Sequence, residues 1–275
     1  MVCALLRRNR RIDMISPMAE IWVFVIGAIV GSFLNVCIYR IPKKISVVYP
    51  LSHCPACKKN IFWYDNIPIL SYLILKGRCR HCKARIRFRY FIVETLTASL
   101  ALLLYIVFGP SARFFAYSIL SCGLIVSTFV DLEIGEIPDE VSLGILAVGL
   151  ALSFAFPSAL GETSRHLGIL NSFLGALAGG GSIYLIGFLG ELVFKKEAMG
   201  GGDVKLMAMI GAFLGWKLTI LAFFIAPIFG SIFGIILRIK DGRDIIPYGP
   251  HISLAALVAI FFGDKILNMF FYGLF

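Results

Sequence analysis

The sequence predicts an all-α polytopic membrane protein: about eight transmembrane helices with one small zinc-ribbon-like loop domain on the cytoplasmic side. Three observations lead there. Hydrophobic residues make up 59% of the 275-residue chain and charged residues 15%, at a mean hydropathy of +0.89, more apolar surface than a water-soluble domain of this length can bury. The apolar residues gather into eight runs, about 21–38, 91–108, 114–130, 141–156, 170–194, 206–216, 218–237 and 252–274, on the scale of bilayer crossings. Between the first two runs lies a basic segment with two Cys-x-x-Cys pairs.

Taken in order, residues 1–20 form a basic N-terminal extension with Arg7, Arg8, Arg10 and Arg11. It reads as an addition ahead of a natural start at Met14 or Met18. Residues 21–39 are the first span. Its apolar run continues through Gly31-Ser32-Phe33-Leu34-Asn35 without a small-x-small cleavage site, so it is not a cleavable signal. Residues 40–90 are the cysteine loop, and 91–275 the remaining membrane domain. As one helix, residues 206–237 would be about 48 Å long, too long for one crossing. Gly211, Gly215 and the polar pair Trp216-Lys217 mark a turn inside it. No internal repeat and no low-complexity tract is evident.

Lys and Arg placement sets the orientation. The segment from Arg40 to Arg89 carries twelve basic residues against one acid, Asp65, which puts it in the cytoplasm. Lys195, Lys196, Lys205, Arg238, Lys240 and Arg243 then also fall inside, for eighteen of the 26. The four N-terminal arginines point the other way and are outvoted. In a bacterium this is the inner membrane. Asp131 and Asp203 both fall at its cytoplasmic face.

Cys54-Pro55-Ala56-Cys57 and Cys79-Arg80-His81-Cys82 are separated by 21 residues, close to the spacing of four-thiolate zinc sites. Four thiolates leave no open position, so the metal would be structural. It would stabilise a loop too small for a sizeable core. Two disulfides are the alternative; a reducing cytoplasm disfavours them. His53 and His81 adjoin the pairs and are weaker ligand candidates. Cys3, Cys37 and Cys122 read as apolar filler. The basic character of the loop matches topology and anionic headgroups; no nucleic-acid-binding module is present.

Asp131 ends an uninterrupted apolar run, and Asp203 follows Gly200-Gly201-Gly202. Ionisable residues at membrane depth are costly and usually functional. Two carboxylates within a few Å share a proton. One can then take a proton from water while the other donates to a scissile carbonyl, so Asp131 and Asp203 are the candidate catalytic pair. The three glycines let a peptide backbone approach and are candidate substrate-binding residues; Glu133 and Glu136 fit either solvated loop charges or the attraction of a positively charged substrate. Asp139, after Pro138, reads as a helix N-cap. Asn35 and Ser32 read as interhelical hydrogen-bonders; Glu94 and Glu191 fit either that role or a site lining. Four histidines without a Ser/His/Asp pattern give serine-type catalysis little support.

A series of motifs resembles one family. It comprises Gly31-Ser32-Phe33-Leu34-Asn35-Val36 with Arg40-Ile41-Pro42, the two cysteine pairs, Asn66-Ile67-Pro68 with Ser71-Tyr72, Asp131 with Ile137-Pro138-Asp139, Gly200 to Asp203 with Lys205, and Pro247-Tyr248-Gly249-Pro250. In this order, over about residues 31–250, it is similar to the type IV prepilin leader peptidases. The resemblance implies that Asp131 and Asp203 are catalytic. It implies cleavage of the basic leader of prepilins, and of the pseudopilins of type II secretion, after a glycine at the cytoplasmic face. It further implies N-methylation of the new N-terminus with S-adenosylmethionine, a function the family associates with the cysteine loop; no residue here is assigned to that cofactor. The stretch between Pro42 and Cys54 is shorter than in many members. A broader presenilin-like intramembrane aspartic protease, and a non-enzymatic transporter or scaffold, are the alternatives.

Overall fold

The computed structural model describes residues 17–49, 52–195, 199–241 and 247–272. The basic N-terminal arginines, Cys3 and Met14 lie outside the described residues, as do Lys196 and Arg243. Among the described residues there are eight α-helices: α1 Pro17–Arg40, α2 Leu70–Ile74, α3 Arg89–Phe108, α4 Ala112–Ile134, α5 Asp139–Ala155, α6 Arg165–Phe194, α7 Gly201–Asp241 and α8 Gly249–Tyr272. Six are long and apolar enough to cross a membrane. The eight spans of the sequence reappear once the 17-residue α5 is counted and α7 is divided at its break, described below. The protein is therefore a multi-pass membrane protein. The chain separates into two compact units at Phe114.

In the first unit α1 packs on α3 through two glycines one turn apart. A Cβ at Gly27 would come within 2.8 Å of the Ala98 Cα, and one at Gly31 within 2.8 Å of the Glu94 Cα. Small residues are what allow this approach where lipid supplies no hydrophobic drive between helices. Asn35 supports the seam as expected, donating from Nδ2 to the Tyr90 carbonyl at 3.1 Å. Glu94 is buried and accepts a hydrogen bond from the Ile69 N–H at 2.7 Å and another from Ser32. The carboxylate thus ties the cysteine loop to α3, while Glu191 is exposed.

The loop holds a repeat that the sequence reading missed. Both cysteine pairs belong to a Cys-x-x-Cys-Lys-x-x-Ile unit, 25 residues apart. In each unit the first Cys N–H donates five residues ahead (Cys54 to Lys59, Cys79 to Ala84, both 2.9 Å). In each, the Lys adopts positive φ, at Lys58 and Lys83, and a single antiparallel bridge closes the turn, His53 with Asn60 and Arg78 with Arg85. The similarity escapes a search for long repeats because only four side chains carry it.

In the second unit the first arm of α7, residues 201–214, is the core. Leu206, Met207, Met209 and Ile210 are fully buried. α4 meets Met209 at Gly123, and α5 meets Phe213 at Gly149. Gly215 then leaves helical geometry at φ 71°, ψ 170°, a conformation open chiefly to glycine, as the sequence anticipated. A Cβ at Gly179 of α6 would lie against both Met207 and Thr219. Twelve residues of straight helix span about 18 Å, so both can touch Gly179 only if the chain reverses between them. Asn171 and Ser172 of α6 hold the reversal: Asn171 Oδ1 accepts from the Trp216 N–H at 3.3 Å, and Ser172 Oγ donates to the Ala212 carbonyl at 2.6 Å.

Candidate active site and metal centre

The first arm of α7 presents Asp203 in its opening turn. The last turns of α4 present Asp131, which is buried. After Asp131 the chain stops helical winding at Gly135, whose N–H caps the Asp131 carbonyl at 2.8 Å in the left-handed conformation that ends many helices. The following residue pair places Ile137 as a wedge. It sits where a Cβ on Gly202 would reach its Cβ at 3.0 Å and a Cβ on Gly249 would reach its Cδ1 at 3.2 Å. The end of α4, the start of α7 and the start of α8 therefore meet around one apolar side chain.

At that junction the Gly249 N–H donates to Asp131 Oδ2 at 2.9 Å. A Cβ on Gly249 would lie 2.7 Å from the same oxygen, so only glycine fits there without moving the carboxylate. The charges of Asp131 and Asp203 act on each other. The Tyr248 phenol lies within reach of the Asp203 charge; burial first, then that charge, pushes its pKa up to about 12, and it stays a neutral donor. From the second arm of α7, Phe233 stacks on His251 at 5.5 Å, and the Tyr248 ring packs over Gly230. The two acids that the sequence singled out are thus brought together, 72 residues apart along the chain.

Glu133 and Glu136 are exposed on the same connection, and Gly200 and Gly201 are exposed beside Asp203. Asp139 departs from its expected role. Pro138 occupies the N-cap position of α5 with no side-chain cap, and the Asp139 carboxylate instead pairs with Lys205 Nζ at 2.6 and 2.7 Å. That pair links the first turns of α5 and α7, two residues after Asp203. A cap and a first-turn ion pair look alike in sequence, since both place an acid after a proline at a helix start. Gly249 and Ile137 were quoted only as members of motifs. A glycine between two prolines at a helix start was the one local signal for Gly249, because it marks a backbone that something must approach.

In the cysteine loop the sulfurs of Cys54, Cys57, Cys79 and Cys82 all lie within 4.8 Å of one another, and all four are free thiols. They form a single cluster, with Cys54 and Cys82 sulfurs 3.8 Å apart. A tetrahedral zinc with Zn–S of about 2.3 Å has sulfur–sulfur edges of about 3.8 Å, so the donor set and its spacing fit the ion. The backbone N–H of Cys82, then that of His81, pulls the Cys79 thiol down to about 7, while Cys82 in the same cluster is raised to about 11: the sulfurs titrate against one another. His53 and His81 contribute no atom to the cluster.

Comparison with known proteins agrees with this division. A family model described as "Bacterial Peptidase A24 N-terminal domain" matches residues 25–108, and one described as "Type IV leader peptidase family" matches residues 118–235. A "Type 4 prepilin-like proteins leader peptide-processing enzyme" of Escherichia coli O78:H11 is 37% identical over 253 residues, covering 86% of this chain and 91% of the relative. A "Prepilin leader peptidase/N-methyltransferase" of Pseudomonas aeruginosa is 33% identical over 275 residues, covering 89% and 91%. One of the same name from Aeromonas salmonicida is 33% identical over 276 residues, covering 90% and 92%. No solved structure matches the chain.

Proposed function

Because the chain belongs to the type IV leader peptidase family, we propose that it is a membrane aspartic endopeptidase. It cleaves the leader of type IV prepilins and pseudopilins after a glycine, at the cytoplasmic face of the bacterial inner membrane, and then N-methylates the new N-terminus. The observation that carries the peptidase reading is the meeting of Asp131 and Asp203 around Ile137 and Gly249. A prepilin offers a positive leader followed by an apolar helix, and its scissile bond lies where that helix meets the cytoplasm.

Each acid faces a backbone N–H, that of Gly249 at Asp131, at 2.9 Å, and that of Gly200 at Asp203; the bond to Asp131 is the full hydrogen bond, of the kind an ionised carboxylate makes best. We assign Asp131 as the group that takes a proton from the attacking water and Asp203 as the group that gives its proton to the scissile carbonyl. The water oxygen then bonds to the carbonyl carbon. Collapse of the tetrahedral adduct breaks the C–N bond: the proton held by Asp131 leaves on the new amine, and as C=O re-forms one hydroxyl proton of the adduct returns to Asp203, leaving a carboxylic acid. The Tyr248 phenol, held neutral, supplies a donor beside the developing oxygen charge.

The four-cysteine cluster supports a structural zinc that holds the two knuckles together. The methylation reading follows the names of the relatives, and the methyl donor it implies is S-adenosylmethionine. Two clefts on the loop, one lined by Lys76, Arg78 and Lys83 and one by Arg85 and Arg87, offer no acid to the ammonium and sulfonium of that donor. They do not fit it.

Incubating the purified chain with a prepilin and reading the product N-terminus by mass spectrometry tests the whole reading: it expects a single cut after glycine and a 14-Da increment when the methyl donor is added. An intact leader rejects it. Two variants refine it. Gly249→Ala pushes the Asp131 carboxylate out of register, and a misplacement of about 1 Å costs about 100-fold in kcat; wild-type kcat in single-turnover cleavage would refute the role of the N–H. Reversing Glu133 and Glu136 to Lys should raise the KM for a basic leader severalfold and leave kcat alone, and an unchanged KM would remove them from leader binding.

A further inference from the structure

The cysteine loop carries a feature that cleavage and methylation leave unused. Its one acid, Asp65, is consumed by Arg80, which holds both carboxylate oxygens at 2.6 to 2.9 Å. Two further cations of the loop, Arg85 and Arg87, line an open cleft of about 350 Å³ together with Tyr72, Ile86 and Phe88. The position of this cleft is fixed. The Ile69 N–H reaches Glu94, the sixth residue of α3, a helix long and apolar enough to cross a membrane. Tyr72 packs its ring on Phe88 at 6.1 Å and on Phe91 at 5.4 Å. So α2 lies along the first turn and a half of that span, at the depth where it enters the bilayer.

At that depth the exposed side chains are apolar. Leu70 is 51% exposed, Leu73 58%, Ile74 65% and Phe88 58%. Turned to water they would be an unexplained patch; turned to the acyl boundary they are the apolar face of an interfacial segment. Guanidinium groups recognise phosphate oxygens in pairs, and basic clefts beside membrane helices hold anionic headgroups. A prepilin leader is excluded as the occupant, because it is itself positive.

We propose that the Tyr72–Arg85–Arg87–Phe88 cleft is a headgroup site for one anionic phospholipid, and that α2 lies in the interfacial layer beside it. The lipid phosphate sits between Arg85 and Arg87, its chains run past Phe88, and the metal loop is held down on the membrane surface. This site is independent of the reaction assigned above.

The test uses the full chain in nanodiscs of phosphatidylcholine doped with phosphatidylglycerol, followed by detergent release and native mass spectrometry to count retained lipids. The wild type should retain phosphatidylglycerol over phosphatidylcholine by about thirtyfold. R85Q/R87Q should lose that preference, while K58Q/K59Q, which removes two charges from the other knuckle, should keep it. R85K/R87K should keep a measurable part of it. The metal content of each variant reports whether the loop has folded. Equal losses in R85Q/R87Q and K58Q/K59Q would mean diffuse charge attraction and overturn the site, as would full retention in R85Q/R87Q. Displacement of phosphatidylglycerol from the wild type by millimolar inorganic phosphate would make it a free-anion site and overturn the lipid assignment.

Discussion

Asp131→Asn and Asp203→Asn should each lower leader cleavage by about 10²- to 10⁴-fold, the range that positioned acid–base groups supply. Asparagine keeps the shape and the acceptor for the Gly249 N–H but can neither take nor give the catalytic proton. Because one shared proton makes the two acids a single device, the double variant should be no slower than either single one; groups that act as a unit are strongly non-additive. Asp139→Asn is the natural control. It sits on the same connection and pairs with Lys205, so its loss disturbs position without removing the proton. Measured by single-turnover processing of a prepilin, a cleavage rate within tenfold of wild type in either single variant would end the assignment.

The second large effect concerns the cysteine cluster. Cys54→Ser, or stripping the metal with a chelator, should unfold the loop, since structural zinc binding in small modules contributes about 10–16 kcal/mol that folding then lacks. Limited proteolysis should open the segment around Lys58 and Lys59, metal content should fall to background, and methylation should stop. Leader cleavage should persist within a few-fold, because both aspartates and their support lie beyond residue 114. Cleavage falling in step with methylation would show that the loop also serves the peptidase.

Much of this was legible in the sequence, for identifiable reasons. Membrane helices show themselves because lipid demands uninterrupted apolar runs, and acids that end such runs stand out, as Asp131 does. The break at Gly215 was readable because one helix could not fit the bilayer. Other features depended on the partner. Asp139 looked like a cap until Lys205, 66 residues later, was found beside it. Glu94 could have lined a site or held a seam, and only the Ile69 N–H decided it. Gly249 needed the Asp131 oxygen to give it meaning. Residues that act through their own chemistry were readable from one dimension; residues that act by letting another approach were not.

The hairpin at Gly215 has a consequence for how the protein is made. The first arm of α7, about 21 Å at 1.5 Å per residue, is shorter than the hydrocarbon layer of about 30 Å and begins with a carboxylate and an ammonium. An insertion apparatus that sorts emerging segments by length and greasiness has little reason to accept it alone. It enters as a wedge with the arm that follows, both flanks ending on one face of the membrane. The catalytic half of the molecule is then complete only after the polypeptide has been released well past residue 241, so a truncated translation product ending earlier carries both acids and no enzyme.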